Sequence, residues 1–220
     1  MSTWQLETGM GWIGWVGVLA WSVCREFRST FWPKFRQDKS YQHWVWASVV
    51  VLFMLWQLEA GLQAGLQVHF LAMTVLVLCH GWRIACWMGA VPILLMGMMG
   101  LLPWSTMGLY GLLTVVIPAW CSFAVFQLTY RYLPHHLFIY LFVAAFFNGA
   151  LTMTAHQLTT AAVMGLSGAF SWGYILDNYL VLLPLLLFPE ALLNGMAITL
   201  LVVYKPEWVR SFHDNDYLMK

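Results

Sequence analysis

The residues of this chain that could do chemistry are few, and most lie in apolar stretches where their presence is costly. An ionisable side chain inside a membrane span costs on the order of 2.5–3.5 kcal/mol on insertion scales, which makes each one a functional candidate. His69 sits in Gly65-Leu66-Gln67-Val68-His69-Phe70, and Glu59, His156 and Asp177 fall at the ends of neighbouring apolar stretches. Two imidazoles and two carboxylates on one side of a membrane would form a trap for a divalent cation. Imidazole suits Co, Ni, Zn, Cu and Fe alike, so ligand type does not choose the metal. The plainer reading of His69 is an interfacial imidazole bonded to a carbonyl, and no spacing rule brings the four residues together.

Other groups stand deeper or further in. His80 follows His69 by eleven residues, about three helical turns and roughly 16 Å, so the two cannot share one ion. Beside Arg83 it reads as a solvated residue, and its neighbour Cys79 as a small core residue or a pathway lining. Glu190 and Asn194 are one turn apart and face the same way, as a polar lining or an inter-helix hydrogen bond. Met96, Met98, Met99 and Met107 form a thioether group; such ligands favour Cu(I), though methionine in apolar helices is more often packing. His135, His136 and His213 read as loop residues.

The elements that must position these groups are membrane helices. The 220 residues are 61% hydrophobic and 9% charged, with a mean hydropathy of +0.73, against about a quarter charged in soluble domains. The fold class is all-α, a polytopic helical bundle making one integral membrane domain over 1–220. Seven spans are expected near 10–24, 44–60, 68–82, 84–102, 108–130, 137–157 and 176–204. Trp4, Trp12, Trp44, Trp104, Trp172 and Trp208 lie near span ends, as an aromatic belt requires. Arg25, Arg28, Lys34, Arg36 and Lys39, with Arg83, Arg131, Lys205, Arg210 and Lys220, place the intervening loops and the C-terminus inside and the N-terminus outside. Gly9, Gly11, Gly14 and Gly17 give the first span a smooth face for close packing. Residues 158–173 read as a surface or re-entrant segment on the outer side. Pro184 and Pro189 interrupt the last span, with Pro189 suited to the first turn of a helix from 189 to 204, which makes it a candidate lining element. The N-terminus has no basic region before its apolar stretch, so no cleaved signal peptide is read. The four cysteines make no CxxC pair, and a net charge of +1 gives no case for nucleic acid.

Two stretches resemble the CbiM-type family of cobalt and nickel permeases, the substrate-specific membrane (S) components of energy-coupling-factor uptake systems. Gly65-Leu66-Gln67-Val68-His69-Phe70-Leu71 is similar to a Gly-x-x-x-His-Leu motif opening the family's third helix. Ala191-Leu192-Leu193-Asn194-Gly195, then Leu200-Leu201-Val202-Val203-Tyr204 and Lys205-Pro206-Glu207, is similar to its closing Ala-Leu-Ile-Glu-Gly, aliphatic run and Arg-Pro-Glu. The resemblance implies that His69 is a metal ligand and that the Met1 amine joins it. It departs in two places: the chain begins Met1-Ser2-Thr3-Trp4 where the family has Met-His, and Asn194 stands for the glutamate of the closing motif.

The reading that follows is a non-enzymatic component of transition-metal uptake in the inner (plasma) membrane. Metal would bind near the outer face at His69, Met1, His156 and Asp177 and pass inward along Glu190, Asn194, Cys79 and His80. No Gly-x-x-x-x-Gly-Lys occurs, so there is no ATP site, and an energising ATPase and coupling membrane subunit are the implied partners beside the lipid bilayer. The alternative is an S-component for a vitamin or metal-bearing cofactor such as cobalamin, in an aromatic-lined pocket. An intramembrane metalloenzyme is disfavoured, because there is no HExxH and no span pairs His at i, i+4.

Overall fold

The structure is a computed structural model that describes residues 8–22, 27, 29, 31–59 and 67–217. Every regular element among them is helical. The helices are α1 (Thr8–Ser22), α2 (Trp32–Gln37), α3 (Lys39–Gln57), α4 (Met73–His80) and α5 (Trp82–Met98). They continue as α6 (Met107–Tyr132), α7 (Leu137–Leu166), α8 (Trp172–Asn178), α9 (Leu183–Tyr204) and the short α10 (Asp214–Tyr217). Among the described residues three stretches are long and apolar enough to cross a membrane by themselves: α6, α7, and the run Trp172–Tyr204 that holds α8 and α9. The expected apolar segments all reappear as helices in order. Cys24 lies outside the described residues, and Cys79, Cys86 and Cys121 are free thiols.

Four segments differ from the sequence reading. The third segment is helical for only eight residues, all of them buried. Residues 158–166 are no re-entrant loop; they extend α7, which ends at Leu166 and turns through Gly168 at φ 69°. The last helix opens at Leu183 with Pro184 in its first turn and carries Pro189 inside it, so it does not start at Pro189. Of the glycines in α1, only Gly11 and Gly14 face a neighbour. A Cβ at Gly108 would collide with the Trp12 backbone nitrogen, and one at Gly11 would stand 2.7 Å from the Leu109 nitrogen. The backbones of α1 and α6 therefore touch, which only glycine at both positions permits.

The cationic segments gather at one end of the bundle. Lys34 Nζ donates to the Glu207 carbonyl at 3.5 Å, and Arg83 and Arg210 line one pocket there. His69 sits at the opposite end. The short helix α4 joins the two ends and is held by its neighbours at both termini. A buried polar chain also crosses its middle: Thr74 donates to Thr152 at 3.3 Å, Thr152 to Asn148 at 3.2 Å, and Asn148 to the Ser122 carbonyl at 3.0 Å.

Candidate metal site

α4 starts late because its N-terminus is capped from another helix. Ala72 adopts φ 52°, the one positive φ among the described non-glycine residues. Leu71 N–H donates to Glu190 Oε2 at 2.9 Å and Ala72 N–H to Oε1 at 2.8 Å. Val75 N–H donates to Asn194 Oδ1 at 3.1 Å, and Asn194 Nδ2 donates back to Glu190 Oε1 at 2.8 Å. Every partner of the Glu190 carboxylate is a donor, the pattern of an ionised acid, and a helix N-terminus favours that charge. Irregular backbone at membrane depth requires such burial and pairing. Glu190 and Asn194, expected as pathway lining, are committed to this anchor, and neither borders the cavity described next.

The non-helical residues before α4 carry His69, which is 6% exposed. Its Nδ1–H donates to the Phe70 carbonyl at 3.1 Å, and its Nε2 lies 2.9 Å from the Tyr110 hydroxyl. A carbonyl only accepts, so the proton belongs on Nδ1 and the Nε2 lone pair accepts from Tyr110. His156, on α7, faces it with ring centroids 6.1 Å apart. Its Nδ1–H donates to the Leu113 carbonyl at 2.9 Å, which leaves its lone pair on Nε2 as well.

That carbonyl is available because a π-turn and a proline coincide. Residues Leu112–Val116 of α6 are wound as a π-turn, with Ile117 N–H bonded to the Leu112 carbonyl. In that register the donor for Leu113 is residue 118, and Pro118 has no N–H. The orphaned carbonyl takes the imidazole instead and sets its tautomer, as outer partners of metal-ligating histidines do.

Both rings open on a cavity of about 430 Å³, whose walls include Glu59, Met96, Tyr110, His156 and Met164. An ion about 2 Å from one nitrogen of each ring puts the centroids roughly 5–6.5 Å apart, and the observed separation falls inside that window. Two imidazoles and two thioethers make a borderline-to-soft donor set, suited to late transition metals rather than Mg or Ca. Among the described residues no three His, Cys, Asp or Glu side chains converge closely enough to hold an ion by themselves.

The remaining expected groups are placed as follows. Asp177 is exposed on α8 and does not border the cavity. Met1 lies outside the described residues, as do Gly65 and Leu66 of the motif. Met98 and Met99 are exposed and Met107 packs against Gly97, so of the methionine group only Met96 reaches the cavity. His80 is not solvated: it is 2% exposed, with Nδ1 2.9 Å from the Tyr41 hydroxyl. Cys79 is buried beside it, and both border a second cavity at the cationic end. Sequence reasoning missed Tyr110, Met164 and Asn148. Nothing local marks them, and by regular α-helical register Pro118 would free the carbonyl of Thr114, so the freed Leu113 carbonyl is visible only once the π-turn is seen.

Comparisons with known proteins bear on the fold and the family. A crystal structure of a truncated transition metal transporter superposes with a TM-score of 0.75 at 14% identity, covering 91% of this chain and 95% of that one. That likeness shows a shared helical membrane fold. No match is found among curated proteins. The family model for the cobalt uptake substrate-specific transmembrane region, CbiM, matches residues 6–208. A match over nearly the whole length makes this chain a member of the CbiM family, whose model describes a substrate-specific transmembrane region of cobalt uptake.

Proposed function

We propose that the chain, as one membrane domain over 1–220, captures a late transition-metal ion in the outer cavity and passes it toward the cationic, cytoplasmic end. The observation that carries this is the convergence of His69 and His156, each with its Nδ1 proton tied to a carbonyl, on a cavity that also presents Met96 and Met164. The Met1 amine is a further donor that the family pattern implies. α1 runs beside the cavity rim, where Trp12 Nε1 donates to the Trp104 carbonyl at 3.0 Å. Cobalt and nickel are the metals the family suggests, and the thioethers extend the range toward copper. Inner-membrane location, and an energising ATPase with its coupling subunit, complete the reading.

Uptake of radioactive cobalt and nickel by cells carrying this chain, with and without a co-expressed ATPase module, tests it. Accumulation that His69→Ala abolishes is expected. Accumulation indifferent to both His69→Ala and His156→Ala would contradict it.

A further inference from the structure

The cavity at the cationic end holds groups that metal capture does not use. It encloses about 280 Å³ between Lys34, Tyr41, His80 and Arg210, room for several waters at about 30 Å³ each. His80 Nε2 is buried and has no hydrogen-bond partner. The Tyr41 hydroxyl lies 2.9 Å from His80 Nδ1. Donating its proton there satisfies both atoms and leaves the His80 proton on Nε2, a donor without an acceptor. The Lys34 ammonium stands 4.5 Å above the Tyr41 ring, and Arg210 Nη1 donates to the His80 carbonyl at 3.2 Å. An orphan N–H flanked by an ammonium and a guanidinium calls for an acceptor that carries negative charge.

We infer that this cavity binds a phosphate group, held by His80 Nε2–H, Lys34 and Arg210. A cation is the poorer occupant, because the buried orphan is a donor and the Lys34 ammonium borders the space. The C-terminus of α4 does not compete, since its carbonyls are already paired. Arg210 N–H donates to Cys79 O at 3.2 Å, Ser211 N–H to Leu78 O at 3.1 Å and Gly81 N–H to Val77 O at 2.8 Å. Glu207, also in the wall, forms an ion pair with Lys205 at 3.6 Å and keeps a largely exposed side chain. The phosphate is supplied either by a phospholipid headgroup at the membrane face or by free phosphate.

Two arms distinguish the sources. Detergent-purified full chain is titrated into inorganic phosphate and followed by ³¹P line broadening. The same chain in phosphatidylcholine nanodiscs containing phosphatidylglycerol is examined for retained phosphatidylglycerol by native mass spectrometry. His80→Phe and Lys34→Gln are run beside wild type, with helix content by circular dichroism as the fold control; Lys34 is exposed, so its replacement leaves the packing in place. Binding in either arm, weakened about tenfold or more in both variants, supports the site, since each removes a charge-assisted or buried hydrogen bond. No binding in either arm, or binding unchanged in Lys34→Gln, overturns it.

Discussion

Replacing Glu190 with alanine separates an anchoring role from a pathway role. The carboxylate is 1% exposed and accepts from Leu71 N–H at 2.9 Å, Ala72 N–H at 2.8 Å and Asn194 Nδ2 at 2.8 Å. Alanine leaves two backbone donors unsatisfied at residues 0% and 8% exposed. Each orphaned buried donor costs about 1–3 kcal/mol, so the expected loss is about 2–6 kcal/mol. Glu190→Gln keeps the volume but turns one acceptor oxygen into a donor facing an N–H, and loses about 1–3 kcal/mol. The assay is thermal unfolding of detergent-purified protein, read by circular dichroism, beside bound-metal content. Both variants should melt lower, alanine more than glutamine. Because residues 69–72 are held by this acid, metal should fall with stability. An alanine variant that melts with wild type yet no longer passes metal would refute the anchor and make Glu190 a pathway group.

Tyr110→Phe removes the hydroxyl that occupies His69 Nε2 without removing the ring; metal affinity measured by isothermal titration should rise about two- to tenfold, the worth of one hydrogen bond. Pro118→Ala supplies the missing N–H to the Leu113 carbonyl, so the His156 bond is contested and metal affinity should fall while helix content holds. Gly108→Ala places a Cβ against the Trp12 backbone and should lower stability by about 1–3 kcal/mol, as overpacking does, visible as a lower melting point. Saturating metal should raise the stability of wild type by about 2.7 kcal/mol at a hundred times Kd, and a chelator should reverse the shift in a melting scan.

The spans were legible because insertion demands long apolar runs between charged loops, and α6 and α7 show that demand plainly. α4 was not legible in its true length. Residues 67–72 hold no proline or glycine to stop a helix, and their non-helical path depends on Glu190, more than a hundred residues away. His80 read as a surface residue from its neighbour Arg83. Its burial comes from residues 206–213, whose Val209 and Phe212 fold back over α4 and whose Arg210 and Ser211 bond to its last carbonyls. His69 was visible as a costly polar residue in an apolar stretch. Its pairing with His156 is a tertiary fact, and Asp177, at the matching depth by sequence, turns outward on α8.

The central claim is that His69 and His156 hold the metal together. The direct test is metal content per chain of detergent-purified wild type, His69→Ala, His156→Ala and Asp177→Asn, with an absorbance scan of each. The account predicts near one ion per chain in wild type and Asp177→Asn, and a loss in both histidine variants that keep their helix content. Metal retained in both histidine variants, or an organic chromophore in place of metal, would contradict it.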